Sequence, residues 1–392
     1  MVPKGWSSVQ AQDVCKSISV GVVIKPTQYY VPEGYGVKAF RSANVREGFI
    51  NDSDWVYFSH EGHAINKKSH LKTGDVLIVR TGYPGTACVV TPEFEGSNAI
   101  DIVIARPDMD KIIPEYLCAY TNSHIGKSQV LDLQGGMAQK HLNVGAYQVL
   151  KINLPPLREQ KKIAQILLTW DNAISVTEKL LTNSQQQKKA LMQQLLTGKK
   201  RLLDENGVRF SGEWRNSTLS MFCNIAKGKA LSASDLEVGD FPVIAGGKSS
   251  PYSHSDYTHE NVVTVSASGA YAGYISYHNY KIWASDCSVV SAKADNLIDY
   301  FYQLLLSLQD KIYSLQSGGA QPHIYPKDLN SIPLWVPCVK EQQKIAAVLS
   351  AADAEISTLE KKLACLRDEK KALMQQLLTG KRRVKVDEAV AE

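Results

Sequence analysis

The chain has 392 residues, 44% of them hydrophobic and 21% charged, with a formal net charge of +5. That length allows two or three domains of ordinary composition, and the absence of any run of about 18 apolar residues excludes a membrane-spanning helix. The start, MVPKGWSSVQAQDV, lacks the apolar core of a secretory signal, and the 7 cysteines never form a CxxC pair; both point to a reducing, cytoplasmic setting without a disulfide framework or zinc site.

In chain order, Trp6 opens a first mixed region. VIKPTQYYVPEGYGVKAFR brings together Lys25, Gln28, Tyr29, Tyr30, Lys38 and Arg41. SHEGHAINKKSH reads as a polar loop, and His60 and His63 within it have no further ligands at metal-binding spacing. GDVLIVRTG, TACVV and AIDIVIARP predict strands. Arg80 and Tyr83 lie between the first two, where Gly82 and Gly85 permit close backbone approach to a phosphate. EYLCAYTNSHIGKSQVLDL predicts a helical stretch, and QGGMAQKHLNV then groups Gln139, Lys140 and His141 as donors.

From about residue 157 to 197 there is neither glycine nor proline, and the same holds from about 339 to 379. Each stretch follows a proline-bearing entry (LPPLREQ, WVPCVKEQ), carries Glu159 or Glu341 in its first turn, and ends at TG before GKKR or GKRR. These are the polarity marks of helices, each roughly 60 Å long. A 4–3 apolar step runs through Ile163, Leu167, Trp170, Ile174, Leu181, Leu191 and Leu195. The second stretch repeats it through Ile345, Leu349, Ile356, Leu359, Leu363, Leu366, Leu373 and Leu377. That is a coiled-coil seam, and helices this polar must pack to be stable. The word KKALMQQLLTGK occurs at Lys188–Lys199 and again at Lys370–Lys381, 182 residues on. Its off-seam residues Lys189, Gln193, Gln194 and their copies Lys371, Gln375, Gln376 suggest outer faces gripped twice by the same partner surface.

The second mixed region, opened by Trp214, repeats the first in order. ENVVTVSASG, YAGYISYH and DCSVVSA match the three earlier strands, and DYFYQLLLSLQDKIYSLQ matches the helical stretch. Its polar loops carry Lys248, Ser249, Ser250, Tyr252 and His254, then Tyr271 in SASGAYAGY, then Gln321 and His323. Gln, Ser, His, Lys and Arg side chains hold phosphates and read base edges, and here they fall in corresponding loops of two repeats. Bulk charge argues otherwise: residues 202–338 hold 9 basic against 13 acidic side chains, so a phosphate grip must come from elsewhere.

No catalytic centre is legible. There is no GxxxxGK[ST] loop, no GxGxxG after a strand, no HExxH, and no signature that activates Cys15 or Cys118.

PPLREQKKIAQIL, PCVKEQQKIAAVL, the paired KKALMQQLLTG, and RTGYPGTACV, WASDCSVV, GGMAQKH and GGAQPH together resemble the specificity subunit of type I restriction–modification enzymes, over nearly the whole chain. The resemblance implies an α+β, pseudo-two-fold tandem repeat. Two mixed α/β target-recognition domains, at residues 1–153 and 202–335, are separated by two long antiparallel helices forming a coiled coil, at 154–201 and 336–392, the latter with a basic tail. It implies a non-catalytic subunit that reads a bipartite, asymmetric site on double-stranded DNA. Two modification subunits carrying S-adenosylmethionine and two restriction subunits using ATP and Mg would dock on it. It binds no cofactor itself. Rival readings are a coiled-coil adaptor without DNA specificity and a methyltransferase or nuclease whose site is not recognised.

Overall fold

Without an interior glycine or proline nothing local ends a helix, and in the computed structural model of the protein both such runs are single helices, Leu157–Leu195 and Val339–Leu378. The structure describes residues 2–133, 141–247, 252–319 and 321–386. The chain forms two compact units, Met1–Glu178 with Lys361–Glu392, and Lys179–Glu360. The division falls inside both long helices, not at the junctions near residues 153, 201 and 335 that segmentation of the sequence suggests. The physical reason is that the two ends of each helix are sunk in different cores.

In the first unit Cys15–Val20, Ile102–Pro107, Val76–Val79 and Ala87–Val89 lie side by side in that order, all antiparallel. The run VLIV is apolar throughout because both of its faces are covered. Val76 and Ile78 pack with Tyr116, Leu117, Ile163, Leu167 and Leu377, while Leu77 and Val79 pack with Phe40 and Phe94. A second sheet orders Asn98–Ala99, Gly36–Phe40, Val56–Ser59 and Tyr30–Val31. Ser7–Gln10 pairs with Lys151–Leu154, stitching the first strand to the one that feeds the long helix.

The second unit repeats this plan. Cys223–Lys227, Cys287–Ala292, Val262–Ser266 and Ile275–His278 form its main sheet. Ser253–His254, Phe241–Ile244 and Trp283–Ala284 form the lesser one, and Arg215–Thr218 pairs with Pro333–Val336. Val263, Val265 and Val290 share a core with Tyr300, Phe301, Leu195, Leu196, Ile345 and Leu349.

Three local expectations are corrected. The stretch 115–133 is two helices, Pro114–Asn122 and His124–Leu133. Ser123 breaks it, its hydroxyl accepting from the Gly126 amide at 3.2 Å, and Gly126 sits where a Cβ would lie 2.3 Å from the Tyr120 carbonyl. The matching stretch divides into Ile298–Ser307 and Gln309–Tyr313. SHEGHAINKKSH is not a loop: His60–Ile65 is helical, capped by the Ser59 hydroxyl on the Gly62 amide at 3.0 Å. There the His63 ring stacks on His70 at 3.8 Å and bonds Asn98 at 2.7 Å, spent on packing. Among the described residues no group of three or more His, Cys, Asp or Glu side chains is placed to hold a metal ion, and no helix is long and apolar enough to cross a membrane.

Candidate nucleic-acid interface

The helices determine what the two bodies can present. Of the seam residues, Ile163, Leu167, Leu195, Ile345, Leu349, Leu363 and Leu377 are buried. Trp170, Ile174, Leu181, Leu191, Ile356, Leu359, Leu366 and Leu373 are half-buried. Lys189, Gln193, Gln194, Lys371, Gln375 and Gln376 are all exposed.

Within each unit the helix segments run antiparallel and are closed by the same polar clasp. In the second unit the Arg201 guanidinium donates to both Glu341 oxygens, at 2.6 and 2.7 Å, and lies 5.6 Å from the Trp214 ring. In the first, Arg383 donates to Glu159, at 2.9 Å from Nε, and lies 5.7 Å from Trp6. Lys188 pairs with Asp353, and 182 residues on in each partner's frame Lys370 pairs with Asp171. Gln160 and Gln342 are wholly buried and tie the helix starts to the bodies: Oε1 of each accepts a backbone amide, of Ile113 and of Leu297, at 3.0 Å. The repeated EQ and KKR letters are therefore a clasp, a role that spacing alone did not disclose. The available signal was that Glu159, Gln160 and Arg201 recur at the same 182-residue offset as the leucines.

At one end of each main sheet the backbone hydrogen bonds superimpose the two units residue by residue. Gly21 N donates to Ile102 O and Gly228 N to Cys287 O; Leu142 N donates to Arg80 O and Ile324 N to Ala267 O. Gly85 N bonds Val79 O as Gly273 N bonds Ser266 O, and the amide after each glycine bonds the carbonyl of Tyr83 or Tyr271. Thus Tyr83 matches Tyr271, His141 matches His323, Asp101 matches Asp286, and Arg80 matches Ala267. Tyr83 is 83% exposed and Tyr271 43%, each at the tip of a glycine-rich loop. Positive φ at Gly82, Gly85, Gly269 and Gly273 turns these loops.

The candidate reading residues do not behave alike. Arg80 is buried, not presented: its Nε donates to Leu142 O at 3.0 Å, and its other nitrogens meet Asp101 and His141. It holds the loop that His141 ends. Lys38 is spent on Asp52 at 2.9 Å and on the Trp55 ring, and it draws the Asp52 carboxyl below its ordinary pKa. Arg41 pairs with Asp54 at 3.0 Å. His254 is buried, stacked on Trp283 at 4.3 Å, and bonded to the Asp256 amide at 2.9 Å. Tyr29 packs on Phe58 and against Gly62. His323 bridges to Ser317 and stacks near Tyr325. Lys25, Gln28, Tyr30, Tyr252 and Gln321 are exposed. Gln139, Lys140, Lys248, Ser249 and Ser250 lie outside the described residues. Sequence reasoning passed over Ile24, 80% exposed, and Tyr35, 73% exposed, in the loop that also holds Lys25 and Gln28. An apolar residue between turn formers was the signal.

Comparison with known proteins agrees with this arrangement. The family model described as the type I restriction modification DNA specificity domain matches residues 3–183 and 211–366. The MjaVIII type I restriction enzyme specificity subunit of Methanocaldococcus jannaschii is 26% identical over 424 residues, covering 98% of this chain and 94% of that one. The StySPI specificity subunit of Salmonella potsdam is 22% identical, covering 92% and 85%. The crystal structure of a type I restriction–modification S subunit from M. genitalium shares the fold, with a TM-score of 0.67 at 16% identity and 96% coverage of both chains. The same strand–loop–helix plan, occurring twice and matched across most of its length, places the chain in the type I restriction–modification DNA specificity family.

Proposed function

We propose that the chain reads a split DNA sequence, one half with each unit, and that the exposed repeated faces of the long helices seat two identical modification subunits. As a member of the specificity family it recognises DNA and assembles with restriction–modification partners, and it is not the catalytic subunit. The observation that carries the finer reading is a contrast within one chain. The helix clasps and the exposed Lys189/Lys371 and Gln193/Gln375 faces repeat without change, while the loop tips that surround Tyr83 and Tyr271 differ. A surface that repeats is suited to one partner bound twice; tips that diverge are suited to unequal half-sites around an unread spacer. S-adenosylmethionine would then be carried by the modification subunits, and ATP and Mg by two restriction subunits.

The test is to express the chain with the modification subunit and map methylated adenines across DNA. The expected result is one bipartite, non-palindromic motif. Methylation without sequence preference, or by this chain alone, overturns the proposal.

A further inference from the structure

The superposition of the two sheet ends exposes one difference of charge. In the first unit the Asp101 carboxylate faces the Arg80 guanidinium, which His141 and Leu142 O also hold. In the second unit the arginine is replaced by Ala267, and Asp286 keeps its place without it. The Asp286 carboxylate accepts from the Ser268 hydroxyl, and among the described residues no Lys, Arg or His forms an ion pair with it. A half-buried carboxylate that has lost its cation retains acceptor capacity that a ligand can use.

The surroundings point the same way. A Cβ added to Gly246 would lie 3.5 Å from Asp286 Oδ2, 3.5 Å from Ser266 Oγ and 3.0 Å from Ser268 O. Three oxygens thus border one small space, which the missing side chain of Gly246 leaves unfilled. Ser266 is 4% exposed, and its hydroxyl has no hydrogen-bond partner. A buried polar group left unpaired costs about 1–3 kcal/mol, so its natural complement is a donor arriving from outside. Tyr271, the exposed tip of the neighbouring loop, marks this end of the unit as the one presented.

We propose that Asp286 is a specificity-determining residue of the second unit, accepting a hydrogen bond from the exocyclic amino group of a cytosine or adenine in the major groove of its half-site. The inference rests on the DNA-reading function above. Only cytosine N4 and adenine N6 offer an amino donor in that groove, and a carboxylate is the side chain that accepts from it without offering a donor to guanine or thymine. The first unit cannot make this contact through Asp101, because Arg80 already occupies that carboxylate. The same fold position therefore reads a base in one unit and holds a loop in the other.

The experiment uses the full chain in complex with its modification subunit, assayed for methylation on synthetic duplexes. Each cytosine or adenine of both half-sites is replaced in turn by an analogue lacking the major-groove amino group, pyrimidin-2-one or 2-aminopurine. At one position of the half-site assigned to the second unit, the analogue is expected to lower methylation about tenfold or more. Asp286→Ala should abolish discrimination at that position alone. Ala267→Arg, which rebuilds the first unit's ion pair, should do the same by a different route, with melting temperatures confirming that both variants fold. Discrimination retained in both folded variants overturns the assignment of Asp286, as does a loss spread over both half-sites, or a requirement for Mg confined to that one position. A wild-type complex that distinguishes no base anywhere overturns the DNA-reading function itself, a separate and recognisable result.

Discussion

Glu341 shows how a single residue can matter more than its neighbours on the same turn. It is fully buried, and both of its oxygens accept from Arg201. Arg201→Ala would leave that carboxylate desolvated and unpaired, so unfolding in urea should show the second unit weakened by about 3 kcal/mol. Burial acts in the opposite sense on His278, which bonds Thr264 at 2.9 Å, and pushes its pKa down from 6.5 to about 4. Below pH 6.5 the unfolded chain takes up a proton that the folded chain refuses. The stability this group contributes is therefore complete above that pH and is lost as pH falls towards 4. Melting temperatures followed from pH 7 to 4 should fall more steeply for the wild type than for His278→Gln. Among the recognition candidates, Tyr83 was legible because a tyrosine between two glycines is hard to bury. Arg80 was misjudged, because its partner Asp101 is 21 residues away in sequence and only the sheet brings the two together.

At the scale of elements, the long helices were the most legible part of the chain. Their limits follow from the absence of glycine and proline, and their seam from the 4–3 step. The repeated word divides by face. Leu195 and Leu377 enter the cores, Lys188 and Lys370 make half-buried ion pairs, and Lys189 and Lys371 stay in water. Reversing charge at Lys189 and Lys371 together should change the melting temperature little, since exposed charges contribute under about 1 kcal/mol. The same double variant should co-purify markedly less modification subunit. Equal loss of both would mean that the lysines serve packing. Gly85 tests the loop that carries Tyr83. Its φ is +85°, and a Cβ there would lie 3.3 Å from Val130. Gly85→Ala should cost about 1–2 kcal/mol, with hydrogen exchange rising first in the helix His124–Leu133.

For the molecule as a whole, the repeat makes a modular prediction. Replacing residues 1–150 with those of a family relative should change one half of the methylated motif and leave the other half intact, as read by mapping methylated adenines. Change in both halves would count against independent reading. Sequence by itself determined the tandem plan, the helices and their register, because these depend on local propensity and on period, which are written along the chain. It also determined the family, through words repeated at a fixed offset. Only the tertiary structure decided that Arg80 is a buried brace, that Glu159 and Gln160 close a clasp with the far end of the chain, and that Asp286 stands without the cation its counterpart has. Those facts depend on which side chains meet across the sheets and between helix segments remote in sequence, and burial and charge pairing are properties of that meeting.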